Sequence, residues 1–147
     1  MNQADQVILL VEDNATDVML IKRAFTKAGL RNPIASVADG DRAVAYLGGT
    51  GEYADRRAHP LPGLILLDLK LPRRSGLEVL EWMKQQPDLR RIPVVVLTSS
   101  AESVDVRRAY DAGANSYLVK PVVFDELHRM LQSVDEYWLR TNVPPVV

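Results

Sequence analysis

The stretch Leu64–Pro72, LILLDLKLP, decides how the rest of the chain is read. Four apolar residues mark a buried strand, too short for a buried helix. A carboxylate, Asp68, follows at once, with apolar residues on both sides. Taking an ionised carboxylate out of water costs several kcal/mol unless something balances it. Whatever balances Asp68 has to come from elsewhere in the sequence.

The same strand pattern recurs outward from this point. Val7–Val11, Ile34–Ala38, Val94–Leu97 and Tyr117–Val119 are short apolar runs, mostly rich in β-branched residues. Helical periodicity fills the gaps. Val18, Ile21, Phe25 and Ala28 form one stripe, with Asn14 and Asp17 as an N-cap arrangement and Gly29 as the stop. Asp41 is the expected cap of a second helix running to Leu47. Further helices are expected at Gly76–Gln86, at Ser103–Ala112, and along Phe124, Leu127, Leu131, Val134 and Trp138. Gly48–Gly63 reads as a surface loop, and the chain cannot be helical past Val143.

Strands alternating with helices imply an α/β fold with a doubly wound parallel sheet, (βα)5. Such sheets bind ligands at the carboxyl ends of their strands. Here those ends are Glu12-Asp13, Asp68, Thr98-Ser99-Ser100 and Lys120-Pro121. Three carboxylates that close repel one another, and a divalent cation removes the conflict. Oxygen ligands without His or Cys point to Mg²⁺. A hydroxyl and a lysine beside them suit a phosphoryl group, and a carboxylate is a known phosphoryl acceptor. The residues thus read as a Mg²⁺-dependent aspartyl-phosphate site.

The chain has 147 residues, a net charge of −1 and no cysteine. That length suits one domain, 1–147, with a core over about 7–139 and an apolar tail at 140–147. The mixed charge carries no nucleic-acid footprint, and no apolar run is long enough for a membrane span. Cysteine chemistry is excluded. The expected location is the cytoplasm.

The strand-end residues resemble the receiver domain of two-component response regulators. The resemblance runs from about Val7 to Leu139 and rests on VED at Val11–Asp13, LLDLKLP at Leu66–Pro72 followed by Gly76, VLTSSA at Val96–Ala101 and AGANSYLVKP at Ala112–Pro121. It implies the flavodoxin-like strand order 2-1-3-4-5. It implies that Asp68 takes phosphate from a sensor histidine kinase. Asp13, Glu12 through water, Asp68 and the backbone carbonyl of Lys70 would hold Mg²⁺. Lys120 would pair with the acceptor, its bond to Pro121 cis, and Thr98 and Tyr117 would form a switch. Ser99 would be the small residue that admits the phosphodonor. Glu12, where aspartate is common, and Lys70 are departures from the usual pattern.

By the same resemblance the protein is not a turnover enzyme, although it assists its own phosphorylation and dephosphorylation. No output domain is expected after the fifth helix. The Gly48–Gly63 loop, LRRIPVVVLTSSA and VDEYWL resemble the stand-alone receivers that accompany bacterial and cyanobacterial phytochrome-type histidine kinases. The alternative is a phosphate sink or phosphorelay intermediate for a kinase that does not sense light. A homodimer is expected through the fourth helix, fifth strand and fifth helix, with Arg107, Arg108, Asp111, Glu126, Arg129 and Asp135 as charges and Tyr110, Tyr137 and Trp138 as aromatic anchors. His59 and His128 are expected at the surface without a role. A haloacid dehalogenase-type phosphatase would need an aspartate where Lys70 stands. A flavin-binding relative would need a Ser-, Thr- and Gly-rich loop where EDNATD stands.

Overall fold

The computed structural model describes residues 6–145. The two ends of the expected domain, including Val146 and Val147 of its tail, lie outside the described residues. The strands are β1 (Ile8–Val11), β2 (Ile34–Val37), β3 (Leu64–Leu67), β4 (Val94–Thr98) and β5 (Ser116–Val119). All pair in parallel, in the order β2-β1-β3-β4-β5, as expected.

Alternate residues of each strand face opposite sides of the sheet. Leu9, Val11, Ile65, Leu67, Val94 and Val96 share one core with α2 (Gly40–Gly48), α3 (Gly76–Lys84) and α4 (Ser103–Asp111). Ile8, Leu10, Leu64, Leu66, Val95 and Leu97 share the other with α1 (Ala15–Lys27) and α5 (Phe124–Val134). Burial on both faces explains why these strands read as unbroken apolar runs. Each fully buried aliphatic side chain contributes about 1.5–3 kcal/mol, so the sheet is the rigid part of the molecule.

The helix caps show what the sequence pattern resolves and what it leaves ambiguous. Asn14 caps α1, accepting from the Asp17 N–H at 3.0 Å. Ser75 and Glu78 form a reciprocal capping box on α3. The cap of α2 is Asp39, not Asp41: Asp39 Oδ1 accepts from the Arg42 N–H at 2.7 Å. Gly40 then falls in the first turn, pressed so closely on the Arg74 carbonyl that a Cβ would sit 1.9 Å from its oxygen.

The segment after α2 is a built loop. One 3₁₀ turn, Gly51–Tyr53, buries Tyr53. Arg56 donates to the carbonyls of Tyr46 and Leu47, both at 2.7 Å, and so satisfies the open end of α2. His59, expected at the surface, is half-buried, edge-on to the rings of Tyr46 and Tyr53. His128, also expected at the surface, is half-buried on α5.

Beyond α5 the helix widens into a π-helical segment, Asp135–Thr141, in which the Asn142 N–H reaches back to Tyr137. Asp135, expected on the surface, turns inward here, and Trp138, expected both on the apolar stripe and as an anchor, follows the stripe. Asp135 is 3% exposed and pairs with Arg140 at 2.9 Å. Trp138 packs on the α1–α5 core. Changing from 3.6 residues per turn to a wider coil rotates the faces, so extrapolating the α5 stripe misplaces Asp135.

Candidate functional site

Main-chain bonds place the site before any side chain does. The Glu12 N–H donates to Val37 at 3.1 Å, that of Asp68 to Val11 at 3.0 Å, and that of Lys120 to Thr98 at 2.7 Å. Each continues the sheet ladder one residue past a strand end. The first residues beyond β1, β3 and β5 are therefore held at one edge with the precision of the sheet itself.

Lys120 Nζ contacts Asp68 Oδ2 at 3.0 Å and Asp17 Oδ2 at 3.1 Å, and it makes a close ion pair with Glu12 Oε1. Three ammonium protons thus meet three carboxylates. The second oxygen of Glu12 accepts from the Asn14 N–H at 3.1 Å, and that of Asp68 from the Lys70 N–H at 3.2 Å. The Lys70 side chain is exposed. Its carbonyl accepts no hydrogen bond among the described residues.

Oxygens of Glu12, Asp13 and Asp68 lie within 4.8 Å of one another. Glu12 and Asp68 are buried while Asp13 is exposed, which leaves one open side. The donor set is all oxygen, with a spare carbonyl in the adjoining loop, and it fits a hard divalent cation. Burial pushes the Glu12 carboxyl up from 4.5 to about 7, against the opposing pull of Lys120 and the Asn14 N–H, with the Asp68 charge adding to the rise. Burial alone would lower the Lys120 ammonium, but its bonds to Glu12 and Asp68 outweigh this and raise it further above its ordinary value. Lys120 is therefore charged throughout the physiological range.

The Glu12 shift has a testable sign. A carboxyl raised on folding favours the folded state fully below 4.5, and that contribution is lost as pH rises through about 7. In chelator, the melting temperature of wild type relative to Glu12→Gln should fall as pH goes from 5 to 8. A difference that stays flat across this window would show that Glu12 titrates normally.

Thr98 is fully buried, and its Oγ1 has no hydrogen-bond partner among the described residues. An orphaned buried hydroxyl costs about 1–3 kcal/mol, so it marks a place where a partner is missing. Tyr117 is half-buried against the α2–α4 core, and its hydroxyl donates to the Ser100 carbonyl at 2.9 Å. The Ser100 hydroxyl in turn donates to Asp105 on α4. Tyr117, on β5, is thus tied through its hydroxyl to the loop that follows Thr98 at the end of β4.

One expectation is corrected. The Lys120–Pro121 bond is trans, since no cis peptide occurs among the described residues. The trans form is favoured by about 0.5–1 kcal/mol before any Pro bond, and here it already permits every Lys120 contact described above. Sequence reading also missed Asp17 as a partner of Lys120. Its signal was position: the third residue of the helix after β1 lies over the same sheet edge as Glu12.

Residues 8–132 match the family described as the response regulator receiver domain. A probable methanogenesis regulatory protein, FilR2, of Methanothrix harundinacea is 45% identical over 139 residues, covering 95% of this chain and 87% of that one. The response regulator Rcp1 of Synechocystis is 42% identical over 140 residues, 95% and 93% of the two chains. Its Mn²⁺-bound crystal structure superposes with a TM-score of 0.86 over 96% of this chain and 99% of that one. The phosphorylated cyanobacterial phytochrome response regulator RcpA superposes with a TM-score of 0.90, at 40% identity, over 97% and 99% of the two chains.

Proposed function

This chain belongs to the response regulator receiver domain family, and from that premise we propose that it accepts a phosphoryl group on Asp68 from a histidine of a sensor kinase. The observation that carries the reading is Asp68 itself, fixed to the end of β3 and bonded to the Lys120 ammonium beside two further carboxylates. A carboxylate oxygen of Asp68 bonds to phosphorus as the histidine N–P bond breaks, and the imidazole leaves with the bond's electron pair and takes up a proton. Lys120 donates to the phosphoryl oxygens as their charge is redistributed, and the unpartnered Thr98 hydroxyl gains an acceptor. Glu12, Asp13, Asp68 and the Lys70 carbonyl would hold Mg²⁺, which when bound offsets the negative charge where donor and acceptor meet. The protein is then a phosphoacceptor, not a turnover enzyme, and its proposed location is the cytoplasm.

Tyr117 links this site to the face formed by α4, β5 and α5. We propose that this face forms a homodimer. Val104, Tyr110 and Val119 are exposed on it, with Tyr137 just beyond α5. Asp135 is buried and takes no part, while the half-buried Trp138 lies edge-on beside Tyr137. Sedimentation should show dimers at tens of micromolar, and monomer alone, with or without an acyl-phosphate mimic, would remove the dimer.

The proposed partner is a phytochrome-type kinase, supported by the likeness to Rcp1 and RcpA. A second reading is a sink or relay intermediate for a kinase without a light sensor, and the relative that is 45% identical, FilR2, is named for methanogenesis regulation and not for a phytochrome. Comparing phosphotransfer from one kinase of each kind separates the two. The central claim is tested with acetyl phosphate. Wild-type protein should gain an acid-stable, base-labile label with Mg²⁺ and almost none in chelator. No label with Mg²⁺ would overturn the reading.

A further inference from the structure

The Asp17 carboxylate is placed by an exchange of partners at the start of α1. Asp17 occupies the third helical position, and its N–H donates to the Asn14 side chain. In a reciprocal capping box its carboxylate would return to the Asn14 N–H, as Glu78 does to Ser75. Here the Asn14 N–H is already taken by Glu12 Oε2. The Asp17 carboxylate is left free of the cap and bonds instead to Lys120 Nζ, 103 residues away in sequence. The positive end of α1 favours a charge there.

Of the three carboxylates on Lys120, Asp17 alone lies outside the cluster suited to a cation. Glu12 and Asp68 have other demands on them during phosphorylation, whereas Asp17 does not. We propose that Asp17 is a positioning residue. It holds one ammonium proton of Lys120 so that the others stay aimed at Glu12 and at the acceptor. A lysine on a four-carbon stem has many rotamers, and anchoring the head from the side of α1 removes that freedom before the reaction. Asp17 also lines, with Leu20, Ser99, Pro121 and Phe124, a groove of about 310 Å³ that opens beside Lys120. The anchor thus stands on the groove side of Lys120.

The inference rests on Asp68 being the acceptor, and its test keeps the two apart. Acetyl-phosphate labelling with Mg²⁺ should be slowed on the order of tenfold in Asp17→Asn, as expected when a reacting group loses its orientation. Asp17→Glu should restore most of the rate, because a longer carboxylate still reaches Lys120. In a Lys120→Ala background, Asp17→Asn should have no further effect. Mg²⁺ affinity by calorimetry should change less than twofold. Labelling of Asp17→Asn at or above the wild-type rate would overturn the proposal, since simple removal of a negative charge near an anionic donor would speed labelling. Equal slowing with and without Lys120 would overturn it too. Failure of wild type to label at all would instead strike the acceptor assignment.

Discussion

Asp68→Asn will take up no phosphoryl group from acetyl phosphate, with labelling at least a hundredfold below wild type. An amide offers neither the nucleophilic oxygen nor the acyl-phosphate product. The substitution should leave the fold intact, because Asn has nearly the same shape and the Asp68 N–H bond to Val11 is main chain. It should not lower stability in chelator. Three carboxylates, of Glu12, Asp17 and Asp68, contact the single ammonium of Lys120, and a fourth, of Asp13, lies close to Glu12 and Asp68, so removing one negative charge relieves repulsion. A melting temperature equal to or above wild type, together with lost labelling and weakened Mg²⁺ binding, separates a chemical defect from misfolding. Labelling of Asp68→Asn at the wild-type level would place the acceptor elsewhere, with the exposed Asp13 the first to examine.

The residues of this site were legible in the sequence because the sheet makes position along a strand equivalent to position in space. A polar residue directly after an apolar run is at the sheet edge, and parallel pairing brings those edges together. Glu12, Asp68, Thr98 and Lys120 follow from that rule alone. Asp17 did not, because its role depends on which acceptor takes the Asn14 N–H, a choice between two short-range bonds that sequence spacing leaves even. The Asp39 cap was missed for a similar reason: Asp39 and Asp41 both precede the apolar stripe, and the choice is made by the contact of Gly40 with the Arg74 carbonyl. The glycines and prolines of the loop after α2 give it an irregular sequence pattern. Its order comes from Arg56 reaching back to Tyr46 and Leu47 and from a cluster of tilted and edge-on aromatic rings, none of which is a periodic signal. The inward turn of Asp135 depends on a π-helical segment, which breaks the period on which the reading of α5 relied.

Gly76→Ala should lower stability and slow labelling together. A Cβ at Gly76 would lie 2.2 Å from the Asp68 carbonyl oxygen, 2.7 Å from Leu69 Cα and 3.0 Å from the Asp68 carbonyl carbon. All three atoms are backbone, so no side chain can rotate away. The glycine is also pinned from its own side, since its N–H donates to Leu69 at 2.9 Å and the Ser75–Glu78 capping box fixes the start of α3. Either the cap opens or the acceptor's own peptide moves. Overpacking of this kind costs about 1–3 kcal/mol and sometimes more, while Ala gains at most about 1 kcal/mol as a better helix former. A net loss of about 2 kcal/mol corresponds to a fall of roughly 4–8 °C in Tm for a chain of this size. Labelling should slow as well, because displacement of Asp68 by a fraction of an ångström disturbs its bonds to Lys120 and Lys70. Gly29→Ala is the matched control: Gly29 has φ +85° but open space around it, so it should lose about 1 kcal/mol and label normally. Should Gly76→Ala melt and label like wild type, the close approach of α3 to the acceptor strand would not be what holds Asp68 in place.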